Sequence, residues 1–293
     1  GTNALDANTT ANNNTAVGHN SLGTNITGAN NTALGSHALL TNTASFNTAV
    51  GQDALRLNTS GASNTGLGRL ALYANTTADN NTAVGTSALT ANTTGTENTA
   101  VGSLAGDALT TGGYNTCIGS IAGSAMTTAT SNVAVGRAAL FGNTNGGENV
   151  AIGIEALSAT SGQYNTAVGA RALDATTGVD KLTAVGYKAL EANTSGVQNV
   201  AVGSESLKTN TTGQTNTAVG ANALYNNVSG SSNTAVGSST LVNNTASNNT
   251  AVGRDALNAN TTGASNTAVG SLALDVNTTG NFNDAFGKSS LSA

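Results

Sequence analysis

Proline and tryptophan are absent from this chain of 293 residues, and cysteine and methionine occur once each. Charge is scarce: 9 Lys+Arg and 14 Asp+Glu make 8% of the residues, where about a quarter is usual. Aromatic side chains reach only 3%, too few to fill a thick globular core. A single thiol excludes an internal disulfide framework and a multi-cysteine metal site. The formal net charge of −5 excludes the basic patch of a nucleic-acid binder. No apolar run approaches the ~20 residues of a membrane span, and no basic-then-apolar signal segment opens the chain. Disorder would bring high net charge and low hydrophobicity, yet 38% of the residues are apolar. What is present in quantity is glycine, 37 residues of it, set in a recurring Asn-Thr-Ala-Val-Gly string.

That string has a frame. With its glycine as position 0, the frame falls on Gly1, Gly18, Gly35, Gly51, Gly68, Gly85, Gly102, Gly119, Gly136 and Gly153. It continues on Gly169, Gly186, Gly203, Gly220, Gly237, Gly253, Gly270 and Gly287. Fourteen intervals are 17 residues long, and three (35 to 51, 153 to 169, 237 to 253) are 16. The consensus is G-x-x-A-L-x-x-N-T-T-G-x-x-N-T-A-V. Residues 1–293 therefore read as a single repeat array, expected to be a segment of a longer chain. A 17-residue period is too short for paired-helix repeats and fits one turn of a β-solenoid. The expected fold is all-β: a parallel β-solenoid, or β-roll, of about seventeen coils with two short strands per coil. Glycines at positions 0 and 10 are expected to supply positive-φ corners, and proline is absent because the ladders need the backbone N–H groups. Coils stacked at ~4.8 Å would make a rod of roughly 80 Å.

Each column of the repeat has an expected task. Position 16 is Val, Ile, Leu or Phe in every coil, and position 4 is Leu except at Gly106 and Gly123. These two columns are expected to form the interior. Beside the two exceptions, Leu104, Leu109, Ile121 and Met126 bring apolar side chains to positions 2 and 7, which implies a repacked core. Charges avoid positions 3, 4, 15 and 16 and gather at positions 1, 2, 5, 11 and 12, marking solvent-facing bends. Asp284, at position 14, is the exception and reads as repeat decay near an array end, or as a cap.

Asparagine fills position 13 in all coils but that of Leu182: Asn14, Asn31, Asn47, Asn64, Asn81, Asn98, Asn115, Asn132, Asn149, Asn165, Asn199, Asn216, Asn233, Asn249, Asn266 and Asn283. It also dominates position 7, as at Asn8, Asn25, Asn75, Asn143, Asn210 and Asn277. Stacked amide ladders account for both columns; the competing reading is a glycan array on the many N-x-[ST] triplets. Position 15 holds Ala16, Ala33, Ala49, Gly66, Ala83, Ala100, Cys117, Ala134, Ala151, Ala167, Ala184, Ala201, Ala218, Ala235, Ala251, Ala268 and Ala285. With position 16 inward, strand alternation turns this small-residue column outward. The expectation is an inter-chain stripe and an obligate homo-oligomer.

The copies Asn149-Val-Ala-Ile-Gly153, Asn199-Val-Ala-Val-Gly203 and the Asn-Thr-Ala-Val-Gly strings resemble the N-[ST]-V-A-I-G motif of trimeric autotransporter adhesin heads (YadA-like). The full unit is also similar to repeats of phage tail-fibre and surface-fibre proteins. The resemblance spans essentially the whole chain, although the 17-residue period is longer than that of the adhesin heads. It implies three β-rolls packed side by side around a shared axis, with position 15 on that axis. The implied role is the elongated shaft or adhesive head of a virion tail fibre or cell-surface adhesin. The expected setting is extracellular, with itself as partner, a host-surface glycan or protein as a further one, and neither nucleic acid nor membrane insertion.

Catalytic machinery is not evident, so no enzyme activity and no cofactor are expected. His19 and His37 stand in exposed bend positions of neighbouring coils and read as solvated polarity before a metal pair. Cys117, in an alanine position, reads as a packed small residue before a nucleophile. Asp53, Glu155 and Glu205 share position 2 but are several coils apart. Two binding readings compete with the fibre. Thr-Thr at positions 8 and 9 (Thr9-Thr10, Thr76-Thr77, Thr93-Thr94, Thr211-Thr212) suggests an ice-binding array, against which Ile26, Val228, Ser60 and the shorter coils speak. Tyr114, Tyr164, Tyr187 and Tyr225 suggest a carbohydrate-binding head, although they occupy three different positions.

Overall fold

A computed structural model describes residues 1–159 and 161–292. The described residues contain strands and turns and no helix, and the chain divides into two compact units, Gly1–Glu148 and Asn149–Ala293. In the first unit, three-residue strands run from β1 (Thr15–Val17) to β8 (Val133–Val135), each paired in parallel with the next. In the second, the same pairing runs from β9 (Val150–Ile152) to β17 (Asp284–Phe286). Each unit is thus a parallel β-solenoid in which like positions of successive repeats pair, Thr82 with Thr99 and Val84 with Val101.

Each coil has one strand, not the two expected. The coil from Gly85 to Val101 shows why. Ser87 and Leu89 hold φ of 57° and 50° and Glu97 holds 57°, all left-handed, on a chain otherwise free to extend. Left-handed residues at positions 2 and 4 make consecutive tight turns, closed by Ala88 N–H to Gly85 O at 3.3 Å and Asn92 N–H to Leu89 O at 3.1 Å. A second strand cannot form through such a bend. The N–H groups left over reach the coils on either side: Ser87 donates to Arg69 O, Leu89 to Ala105 O and Glu97 to Asp79 O. Leucine in the left-handed region costs about 1–2 kcal/mol, offset here by burial, since Leu89 is 1% exposed.

The two glycine columns have different causes. At position 0, Gly85 has φ of 136°, and a Cβ there would lie 2.4 Å from the carbonyl oxygen of Gly102. Position 10 does not supply the expected positive-φ corner. Gly95 lies outside the left-handed region, and glycine serves there because a Cβ would meet Gly112 O at 2.2 Å and Asn92 Oδ1 at 2.5 Å.

The interior also departs from the expected one. Position 4 is inside, but its companions are the alanines at positions 3 and 15, as with Leu89, Ala88 and Ala100. Buried Asn92 and Asn98 complete the cross-section. Position 16 points outward. A flattened coil this narrow accepts one leucine facing two alanines, and valine on the inner side of the strand would overfill it. Where leucine gives way to Gly106 and Gly123, Leu109 and Met126 from position 7 fill the core together with Cys117. A Cβ on Gly123 would stand 2.9 Å from Cys117 Sγ and 2.3 Å from Met126 Cε. Leu104 and Ile121, by contrast, stay on the surface side of the bend.

The shorter coils keep the strand register. Thr32 pairs with Thr48, Val150 with Thr166 and Thr234 with Thr250, each across a 16-residue interval. In the coil from Gly35, Asn42 and Asn47 occupy the asparagine columns with four residues between them instead of five, and Asn42 Nδ2 donates to Ala44 O as Asn92 Nδ2 does to Gly95 O at position 10. The missing residue is therefore position 9, on the bend between the two asparagine columns.

Candidate functional site

The feature with the largest potential for contact is the outer face of each strand column. Position 16 presents Val17, Leu34, Leu67, Val101 and Ile118 in the first unit, and Ile152, Val202, Val219, Val236, Val252 and Phe286 in the second, all exposed. Leu34 is 47% exposed, whereas Ala33 beside it is fully buried within the single chain. Position 14, also outward, is threonine or valine in every coil except at Asp284. The result is a regular aliphatic and threonine surface, free of charge up to β17.

The expected inter-chain stripe must accordingly be corrected. Ala16 and Ala33, Ala49, Gly66, Ala83, Ala100, Cys117 and Ala134 of the first unit turn into the coil. So do Ala151, Ala167, Ala184, Ala201, Ala218, Ala235, Ala251, Ala268 and Ala285 of the second. All are buried except Ala16, half-buried in the first coil. From Ala33 to Ala285 the column is covered by its own chain and presents no surface to another. The small residue is demanded by the inside of the coil, not by a neighbour.

The asparagines at position 13 are buried, except the half-buried Asn14 and Asn283 of the end coils, and act as staples between coils. Asn98 Oδ1 accepts the backbone N–H of Asn115 at 3.0 Å, and its Nδ2 donates to Gly112 O at 2.9 Å, both in the following coil. Asn81 makes the same two bonds, to Asn98 N–H and Gly95 O. At position 7, Asn92 Nδ2 donates to Gly95 O of its own coil and to Asn75 Oδ1 of the preceding one. The N-x-[ST] triplets at Asn75 and Asn210 are therefore buried amides with partners on both sides. In the coil from Gly169, Thr176 and Leu182 replace both asparagines, and Thr176 Oγ1 is buried without a partner.

The threonines at position 8 are likewise occupied. Thr59, Thr76, Thr93 and Thr110 each donate their hydroxyl to the position-8 carbonyl of the next coil, at 2.9–3.0 Å. Position 9 is the one omitted from the shorter coils, so the Thr-Thr array is neither free nor continuous.

Polar chemistry concentrates on the bend formed by positions 1, 2 and 5. His19 and His37 make an edge-to-face contact at 5.3 Å, and His37 Nδ1 lies 3.3 Å from Asp53 Oδ1, which also meets Arg56 Nη1 at 3.3 Å. No group of three or more His, Cys, Asp or Glu among the described residues is placed to hold a metal ion. In the second unit, Arg171 meets Asp174 and Glu191 at 3.2 Å each, and Lys188 meets Glu191 at 3.4 Å. Hydrogen bonding to Asp174, then the charge of Glu191, raises the Arg171 pKa. Lys208 Nζ bonds Glu205 Oε1 at 2.8 Å and Tyr225 Oη at 3.1 Å, and these contacts raise the lysine pKa, Glu205 foremost. Glu155 and Glu205, scattered when read along the chain, thus belong to paired charge clusters. The missed signal was the i,i+3 spacing of opposite charges at positions 2 and 5, as in Arg171/Asp174, Lys188/Glu191 and Glu205/Lys208. Cys117 is buried, and burial pushes its pKa up to about 12. Comparison with family models, curated proteins and solved structures returns no match to this chain.

Proposed function

We propose that this chain is a structural segment of an extracellular fibre, a shaft or adhesive head on a virion or cell surface, built as a homo-oligomer with three chains as the favoured number. The observation that carries the reading is the outward position-16 column, from Val17 to Val135 in one unit and from Ile152 to Phe286 in the other. An apolar column repeated in every coil, on a surface free of charge up to β17, is more than the scattered exposed leucines of a monomer. Its repetition suits a second copy of the same surface, since identical coils present identical spacing. On this reading the partner face is the surface of positions 14 and 16. The resemblance to trimeric adhesin heads and tail-fibre repeats points the same way, and the sparse catalytic chemistry of the bends fits a mechanical role.

Sedimentation equilibrium of the whole chain tests the proposal. A mass near three times 28.4 kDa is expected, falling to a single chain when Val101→Asp and Val202→Asp are combined. A stable, folded wild-type monomer would overturn it.

A further inference from the structure

The bend of the second unit carries a groove of about 380 Å³ on the coils that begin at Gly203, Gly220, Gly237 and Gly253. Position 2 contributes Glu205, Asn222 and Ser239 to its lining, and position 5 contributes Tyr225, Val242 and Asn258, with Asn226 beside them. We propose that this groove is a saccharide-binding site, with the ring of Tyr225 as the stacking platform and Glu205, Asn222 and Ser239 as hydrogen-bonding partners of the sugar hydroxyls.

A pyranose ring offers a patch of C–H bonds on its face and a rim of hydroxyls that both donate and accept. Its recognition needs an aromatic surface flanked by planar amides or a carboxylate. The groove has these parts, and they are held in place. Lys208 Nζ sits 3.1 Å from Tyr225 Oη and 5.1 Å from the ring centroid, so the ammonium holds the ring near its hydroxyl end and can cover no more than one of its two faces. The same ammonium bonds Glu205 Oε1 at 2.8 Å, fixing carboxylate and ring relative to one another. Asn226 Nδ2 is bonded to Asn243 Oδ1 at 3.1 Å and Asn258 Nδ2 to Ser239 O at 2.9 Å, which orients both amides. The Asn222 amide and the Ser239 hydroxyl make no side-chain hydrogen bond to protein, leaving their donors and acceptors for a ligand. Such side-chain ordering before binding lowers the entropic cost of capture. A carboxylate in the lining disfavours phosphate and other anions, and the neighbouring lysine offsets the attraction for a free cation.

The site lies within one chain, on the bend rather than on the strand face of positions 14 and 16. It therefore stands apart from the fibre reading and from the number of chains.

Saturation-transfer NMR on the whole chain provides the test, with methyl α-glucopyranoside, methyl α-mannopyranoside, methyl β-galactopyranoside and N-acetylglucosamine as probes. At least one is expected to receive saturation at its ring C–H protons. Tyr225→Ala is expected to abolish the signal, Asn222→Ala to weaken affinity about ten-fold, and Tyr114→Ala, on a different bend, to change nothing. Ser239→Arg fills the groove while leaving the tyrosine intact, and serves if Tyr225→Ala fails to fold. It too is expected to remove binding, with unchanged circular dichroism. Absence of transfer to all four sugars, or transfer that survives Ser239→Arg, would overturn the assignment. Binding retained in the Val101→Asp, Val202→Asp chain would separate this site from the oligomer, and binding lost there with the fold intact would overturn its location within one chain.

Discussion

An asparagine amide joins one acceptor to one two-proton donor at fixed geometry, and this solenoid uses both ends of it. Asn98 holds a backbone N–H and a backbone carbonyl of the following coil, so Asn98→Ala strands two buried groups. The expected loss is about 2–4 kcal/mol, read as a lower midpoint in urea titration. Asn98→Asp is more informative. A protonated carboxyl can still donate to Gly112 O, but the buried carboxylate cannot, so burial and the facing carbonyl raise its folded-state pKa. The stability of this variant is then greatest below the unfolded aspartate pKa of about 3.9 and falls as pH rises through the folded value. A urea midpoint that is independent of pH in this variant would contradict the staple. Cys117 gives a second residue-scale test. With its pKa raised from 9.0 to about 12, the native thiol is expected to resist iodoacetamide at pH 8 and to react once unfolded. Its contribution to stability is complete below pH 9 and is lost as pH climbs toward 12, because the unfolded state releases the proton first.

At the scale of the coil, the frame, the glycine of position 0, the asparagine columns and the leucine of position 4 were legible because each imposes one residue type in nearly every repeat. The direction of the strand was not. Alternation says that positions 15 and 16 face opposite ways, but not which is inside, and the usual preference for burying valine over alanine points the wrong way. Volume decides: Leu89 and Ala88 leave room across the coil for the methyl group of Ala100 and little else. The left-handed Leu89 and Glu97 were equally hidden, since neither residue type announces positive φ. The repacked coils supply the test of this volume argument. Gly123→Leu alone is expected to cost about 1–3 kcal/mol through collision with Cys117 and Met126. Adding Cys117→Ala and Met126→Asn restores the consensus cross-section and is expected to recover most of that loss, a coupling that a thermodynamic mutant cycle measures directly.

For the molecule as a whole, each coil bonds only its neighbours, so stability within a unit is a sum of coil and interface contributions. Weak coils should then open locally. The coil that begins at Gly169 lacks both asparagine columns and buries the unpartnered Thr176 hydroxyl. Its amides are expected to exchange with deuterium at least ten times faster than those of the coils holding Asn64, Asn81 and Asn98, as read by mass spectrometry. Equal protection would mean that the amide columns contribute little beyond the backbone ladder.

The bonds that the position-13 staples make to backbone across coils face one way: Asn81 and Asn98 each give Oδ1 to an N–H and Nδ2 to a carbonyl of the coil that comes after in sequence, and the second Nδ2 proton of Asn81 reaches back only to the side chain of Asn64. A finished coil is therefore a mould with two empty fittings, and the next seventeen residues are cast against it. Growth has a polarity, and it is the polarity in which a ribosome delivers the chain. A polypeptide emerging amino end first meets a completed template at every step, so hundreds of residues can be ordered without any long loop being closed.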